Sequence, residues 1–223
     1  PIVVSSRRAS FEVERWDDRL AWEYRRRATI AEYRHGEYKG DAAALERIVA
    51  RRDEILRAAA RLPTDLPRGE ALLQVGNALN VLGKLRADAS ILEEAVASYR
   101  TALPIFAAAG DRTGLSRLKN NLASALVSLG ENDAGTARLE EAIALHRELV
   151  AEAPFADGSV EWMTSRLNLA SALGRLGERS GTTAISREAV QVPAETGERA
   201  RHEADPIPWA PGKFNLPGAM LFA

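Results

Sequence analysis

The pair Leu-Gly recurs at Leu82-Gly83, Leu129-Gly130 and Leu176-Gly177, at a constant spacing of 47 residues with no gap. A fixed period of this length belongs to chains that fold by stacking copies of one small supersecondary unit. In the same frame Ala78, Ala125 and Ala172 coincide, as do Leu79, Leu126 and Leu173, then Glu94, Glu141 and Glu188, then Ala95, Ala142 and Ala189. One period before Gly83 stands Gly36, with Ala31, Asp41, Leu45 and Glu46 under Ala78, Asp88, Leu92 and Glu93, so the first 62 residues are a diverged unit. One period after the third unit, Trp209, Asn215, Leu216 and Ala219 fall under Trp162, Asn168, Leu169 and Ala172. The chain stops at Ala223, one residue short of the next expected glycine, which gives an incomplete fifth unit.

Within a unit the apolar residues follow helical spacing: Leu115, Leu118, Leu122, Leu126 and Leu129 before the glycine, then Leu139, Ile143, His146 and Val150 after it. Each unit is therefore two helices. The glycine is expected to supply a left-handed residue that stops the first helix, and Ser90 with Glu93 to form a capping box at the start of a second. The predicted pairs are 10–35 with 41–62, 68–82 with 89–108, 113–129 with 135–152, and 159–176 with 182–192. Connectors rich in helix breakers run over 62–69, 109–114 and 153–159. A lone amphipathic hairpin cannot hide its apolar stripe, and three or four buried aliphatic residues per unit, at roughly 1.5 to 3 kcal/mol each, hold a stack but not a single pair. The expected organisation is a diverged N-terminal helix pair over 1–67, a repeat array over 68–192, and an irregular cap or incomplete fifth repeat over 193–223. Pro193 is expected to interrupt the second helix of the fourth unit, and Pro211 and Pro217 to leave the rest broken or extended. Trp209, Phe214, Leu216 and Leu221 would then lie over the end of the stack, or the apolar end would be a surface for self-association.

The units resemble the tetratricopeptide repeat. NNLASALVSLG (120–130) and LNLASALGRLG (167–177) resemble its first helix, with Leu122 and Leu169 at the large apolar position and Ala123 and Ala170 at the small one. LEEAVASYRTAL (92–103) and LEEAIALHREL (139–149) resemble its second helix, with Ala95 and Ala142 at the small packing position. The family's usual period is about 34 residues, so the resemblance is to a long-period bacterial form. It implies an all-α fold, a right-handed α-solenoid of antiparallel helix pairs, whose first helices line a concave groove that receives a peptide or protein segment. The family's groove positions fall on Asn77, Asn80, Arg117, Asn121, Ser124, Thr164, Asn168 and Ser171. Amides there can donate to and accept from a peptide backbone, or they can bond between adjacent helices and fix the stacking. One variant of the family grips a C-terminal carboxylate with lysines, asparagines and an arginine. Asn77 and Asn121 match its asparagines, but Leu73, Thr164 and Asn168 stand at its basic positions, so no tail capture of that kind is expected.

The implied function is a non-enzymatic interaction scaffold; the alternative is the sensor or regulatory segment of a larger signalling protein with an effector domain. Thirty basic against thirty-one acidic residues give a net charge of −1, which favours neither nucleic acid nor an anionic membrane as partner. Cysteine is absent, removing thiolate chemistry and disulfides. No phosphate loop, dinucleotide turn or nucleophile elbow occurs, and neither a catalytic residue nor a cofactor is expected. His35, His146 and His202 lie far apart; Glu32-x-x-His35 is half of a carboxylate metal motif whose second copy is missing, so no metal site is expected. The start, PIVVSSRR, lacks the apolar run of a secretion signal and begins with Pro1, so a cytoplasmic protein and a trimmed segment are the expectations.

Overall fold

The computed structural model describes residues 2–131, 133, 135–152 and 160–202, with side chains over 17–131, 133, 135–152 and 163–193. Those residues are all-α: α1 (Ile2–Lys39), α2 (Ala42–Ala50), α3 (Arg52–Ala60), α4 (Leu66–Arg86), α5 (Ala89–Ala109), α6 (Arg112–Gly130), α7 (Ala137–Glu152), α8 (Val160–Ser180) and α9 (Thr183–His202). The chain divides into two compact units, Pro1–Ala125 and Leu126–Ala223.

In the first unit the periodic residues form the core. Ala71, Ala78 and Leu82 of α4 pack with Ile48 of α2, Ile55 and Ala59 of α3 and Trp22 of α1. α4 and α5 form an antiparallel hairpin with an unusually close approach. Glycines recur every seventh residue on one side of α4, and each faces a large side chain of α5. A β-carbon would stand 2.9 Å from Ile105 Cγ2 at Gly69, 2.7 Å from Tyr99 Cε1 at Gly76, and 2.7 Å from Leu92 Cγ at Gly83. The second helix of the first pair is divided into α2 and α3 at Arg51, whose guanidinium reaches the Glu32 carboxylate and the Arg47 carbonyl. In the second unit Leu139 and Ile143 of α7 pack with Leu169, Ala172, Leu173 and Leu176 of α8. Arg179 of α8 spans the start of α7 by donating to the backbone carbonyls of Glu131, Asp133 and Gly135.

The glycine of the Leu-Gly pair is not a left-handed stop: α6 ends on Gly130, but none of Gly83, Gly130 and Gly177 has a positive φ, and the other two helices run on. α4 runs three residues past Gly83 to Arg86, and α8 runs past Gly177 to Ser180. Lack of a β-carbon serves a packing purpose instead: at Gly36, Gly83 and Gly130 it admits Leu45, Leu92 and Leu139, nine residues further on, and at Gly177 it admits Ser186. The left-handed residue comes four positions later, at Gly40 (φ 65), Ala87 (φ 50) and Gly181 (φ 65), one column of the same frame. Ala87 holds this conformation at a steric cost that Gly avoids. Ala87→Gly should therefore raise stability by about 0.5 to 1 kcal/mol, readable as a higher urea midpoint with unchanged slope.

The Ser90–Glu93 capping box is also corrected. The cap of α5 is Asp88, whose Oδ1 accepts from the backbone of Ser90 (2.8 Å) and Ile91 (3.4 Å), while the Ser90 hydroxyl itself donates to Asp88. Carboxylate outranks hydroxyl here because ionised oxygen makes the stronger bond to an orphan N–H. Those bonds hold the Asp88 carboxyl below its usual range. Asp41, one period earlier, caps α2 in the same way through the Ala44 N–H. Pro193 does not end its helix: α9 continues to His202, as α5 continues through Pro104. A proline fixes φ near the helical value, so the loss is one N–H bond and a local clash, which a packed helix can absorb. The expected cap residues Trp209, Phe214, Leu216 and Leu221 lie outside the described residues.

Candidate functional site

A polar strip runs along α4 and the first part of α6. Its centre is a chain of side-chain hydrogen bonds. Tyr99 Oη of α5 donates to Asn77 Oδ1 of α4 at 2.9 Å, and Asn121 Nδ2 of α6 donates to the same oxygen at 2.8 Å. Asn80 also hydrogen-bonds the Tyr99 hydroxyl. The Tyr99 proton is committed to Asn77, so Asn80 must offer its amide N–H to the phenol, and Asn80 Oδ1 is left over. That oxygen is buried without a hydrogen-bond partner, as is Gln74 Oε1 one turn and a half earlier. Burial holds the Tyr99 hydroxyl well above its ordinary pKa, so it remains a neutral donor at any physiological pH.

Charges flank this centre. On one side Lys84 Nζ donates to Ser124 Oγ at 2.9 Å. On the other, half-buried Glu70 lies 4.0 Å from Arg26 Nε, and Arg26 also holds Glu23 at 3.0 Å. Burial raises the Glu70 pKa, and the positive charges of Arg26 and Arg117 oppose that rise. Tyr33 of α1 donates to Glu37 at 2.6 Å; burial first and this bond second push its pKa up.

Among the sequence-predicted positions, Asn77, Asn80 and Asn121 are thus brought into one connected set of polar contacts within the first unit, and Ser124 into a separate contact with Lys84. Arg117 is exposed on the same part of α6. Thr164, Asn168 and Ser171 lie half-buried along α8 in the second unit. Asn77 and Asn121 spend their facing groups on each other, tying α4 to α6. Four participants were missed from sequence: Tyr99, Glu70, Gln74 and Lys84. Gln74 carried a signal, since it stands one period before Asn121 and two before Asn168. No group of three or more His, Asp or Glu that could hold a metal ion occurs among the described residues, and none of the described helices is long and apolar enough to cross a membrane.

No curated protein matches this chain. Among solved structures, it is similar to the DHF58 filament at 17% identity and a TM-score of 0.45, covering 83% of this chain and 95% of that one. The DHF119 filament gives 19% identity and a TM-score of 0.37, covering 83% and 96%. A Podosopora anserina putative kinesin light chain with nearly identical TPR-like repeats gives 16% identity and a TM-score of 0.29, covering 80% and 97%. These likenesses are too loose to carry detail of shape or partner. The family model of the tetratricopeptide repeat matches residues 117–153, from α6 through the end of α7. The helix pair that this chain repeats is accordingly similar to the tetratricopeptide repeat.

Proposed function

We infer that the chain is an interaction scaffold whose first helices bind a peptide or protein segment, and that the strip on α4 and α6 is part of the contact surface. The observation that carries this reading is the pair of buried amide oxygens, Gln74 Oε1 and Asn80 Oδ1, left without partners beside a fully engaged network. A native fold leaves few such groups, because each forfeits about 1 to 3 kcal/mol. Both oxygens are shut off from solvent, so a segment's backbone N–H groups reach them once the Gln74 and Asn80 side chains turn outward. Glu70, Arg117 and Lys84 add charges of both signs, which suits a partner with mixed charge over a strongly acidic or basic one. Thr164, Asn168 and Ser171 would extend the surface along α8.

Separate substitutions distinguish holding from binding. Asn121→Ala removes a donor to Asn77 and should cost about 1 kcal/mol of stability, measured by urea unfolding. Arg117→Ala, at an exposed position, should leave stability within about 0.5 kcal/mol while weakening capture of a peptide selected from a random display library on the full chain. Gln74→Leu should weaken the same capture. Wild-type affinity in both Arg117→Ala and Gln74→Leu would refute this surface.

A further inference from the structure

The polar strip begins with a carboxylate that no donor holds. Glu70 of α4 is half-buried, and among the described residues its one ion pair is with Arg26 of α1, whose Nε lies 4.0 Å from Glu70 Oε2, beyond hydrogen-bond distance. The Arg26 head is committed elsewhere, with Nη2 donating to Glu23 at 3.0 Å, and Arg26 Nε is itself buried without an acceptor. The charges that act on Glu70 are Arg26 and Arg117 on the positive side, Glu23 and Asp111 on the negative. Counting Glu70, three carboxylates face two guanidiniums, so the place is one positive charge short. Asp111 cannot supply a donor either, because its Oδ1 is spent on the Gly114 N–H at the start of α6.

A second acceptor stands beside it. Gln74 follows Glu70 by one turn of α4, on the same side of the helix. It is only 8% exposed, and its Oε1 has no donor. Both residues, and the charges around them, belong to the first unit. The free chain keeps Glu70 at a cost, since burial disfavours the ionised carboxylate and raises its pKa. A charged acceptor held against its own solvation, next to a buried amide oxygen in the same condition, is what a site reserved for a cationic donor looks like before the donor arrives.

We propose that Glu70 and Gln74 seat an arginine side chain carried by the bound segment. This rests on the scaffold reading above and names the residue that the partner must bring. A guanidinium answers both deficits. It stays charged at any physiological pH, and its planar fork of N–H donors can pair with the carboxylate and still reach Gln74 Oε1 once that side chain turns outward. Lysine brings a compact charge without the fork, so it serves the carboxylate alone. Arg117 repels the incoming charge only weakly, because it is exposed and screened by water. At this end of the strip the partner thus offers a side chain, while Asn80, further along α4, is left to a backbone N–H.

Peptides selected on the full chain from a random display library, then resynthesised with arginine changed to citrulline (its uncharged isostere) or to lysine, test this by titration calorimetry. The selected peptides should share an arginine. Citrulline at that place should weaken binding by about tenfold or more, and lysine by a smaller factor. Glu70→Gln should weaken the arginine peptide by about tenfold or more while changing the citrulline peptide by less than about twofold. The free Glu70→Gln chain should unfold at a urea midpoint no lower than wild type, because it sheds a buried charge that no hydrogen bond holds. Peptides without a shared arginine, lysine bound as tightly as arginine, or a Glu70→Gln effect equal for the arginine and citrulline peptides would each overturn the anchor and leave the scaffold reading standing. So would a lowered midpoint, which would assign the carboxylate to the fold. Failure to select any peptide would overturn both.

Discussion

Gly76→Ala should destabilise this chain by about 1 to 3 kcal/mol, while the same change at Gly174 should stabilise it by about 1 kcal/mol. Both glycines lie inside helices, where alanine is worth roughly 1 kcal/mol over glycine because it loses less backbone entropy. The sign is decided by what the new methyl meets. At Gly174 nothing among the described residues lies within 4 Å, so the propensity gain stands alone. At Gly76 the methyl would lie 2.7 Å from Tyr99 Cε1 and 2.9 Å from Cδ1, inside any van der Waals contact. Tyr99 cannot move aside cheaply, because it is fully buried and its hydroxyl is tied to Asn77. Gly83→Val should be worse, at about 3 kcal/mol or more, since the Leu92 backbone nitrogen as well as its side chain lies within 3.0 Å of the added carbon. Gly130→Val should follow in the same direction against Leu139. Gly110→Ala is the control for the other use of glycine: it has φ 67 and open space, so it should lose about 1 kcal/mol through backbone strain alone. Urea unfolding of the five variants checks the set, and a stabilised Gly76→Ala would defeat the close-packed hairpin.

That contrast shows which parts of the fold were legible beforehand. The period placed the core, because a column that stacks must stay apolar: Ala78, Ala125 and Ala172 are all fully buried. It did not distinguish two reasons for glycine. Close approach and a left-handed turn both select the residue without a β-carbon, and here they are separated by only four positions, with alanine at one of the turns. A seven-residue glycine rhythm on α4, matched by Leu92, Tyr99 and Phe106 on α5, was visible but was hidden behind the longer repeat. The candidate site was legible only by column. The bond from Asn121 to Asn77 joins residues 44 apart, three short of the period, so it crosses from one column to another between neighbouring units. No alignment of the repeats on themselves reveals such a contact, and it is what commits those two asparagines to holding helices together.

His146 is expected to make the chain acid-sensitive. It occupies the column of Tyr99 on α7 and is 1% exposed, with Nδ1 buried and unpartnered. Removal from water disfavours the charged ring, and burial alone lowers the pKa from 6.5 to about 4. The unfolded chain therefore binds a proton at pH values where the folded chain does not. Stability from this residue is complete above pH 6.5 and is lost as pH falls towards 4, by about 3 kcal/mol in all. Other groups act on the same range: Glu70, with its raised pKa, takes up a proton more readily when folded and so works in the opposite sense. Comparison with His146→Leu isolates the histidine, because leucine fills a similar volume and cannot titrate. Unfolding free energies at pH 7 and pH 4.5 should fall by about 2 to 3 kcal/mol more in the wild type than in His146→Leu. The variant should also be at least as stable as wild type at pH 7, since it removes a buried nitrogen that lacks a partner. Equal acid sensitivity in the two proteins would mean that the ring finds water or a partner when folded. In a stacked chain the consequence is local: α7 packs on α8 through Leu139 and Ile143, so a charge formed at His146 loosens the helix on which the following unit leans.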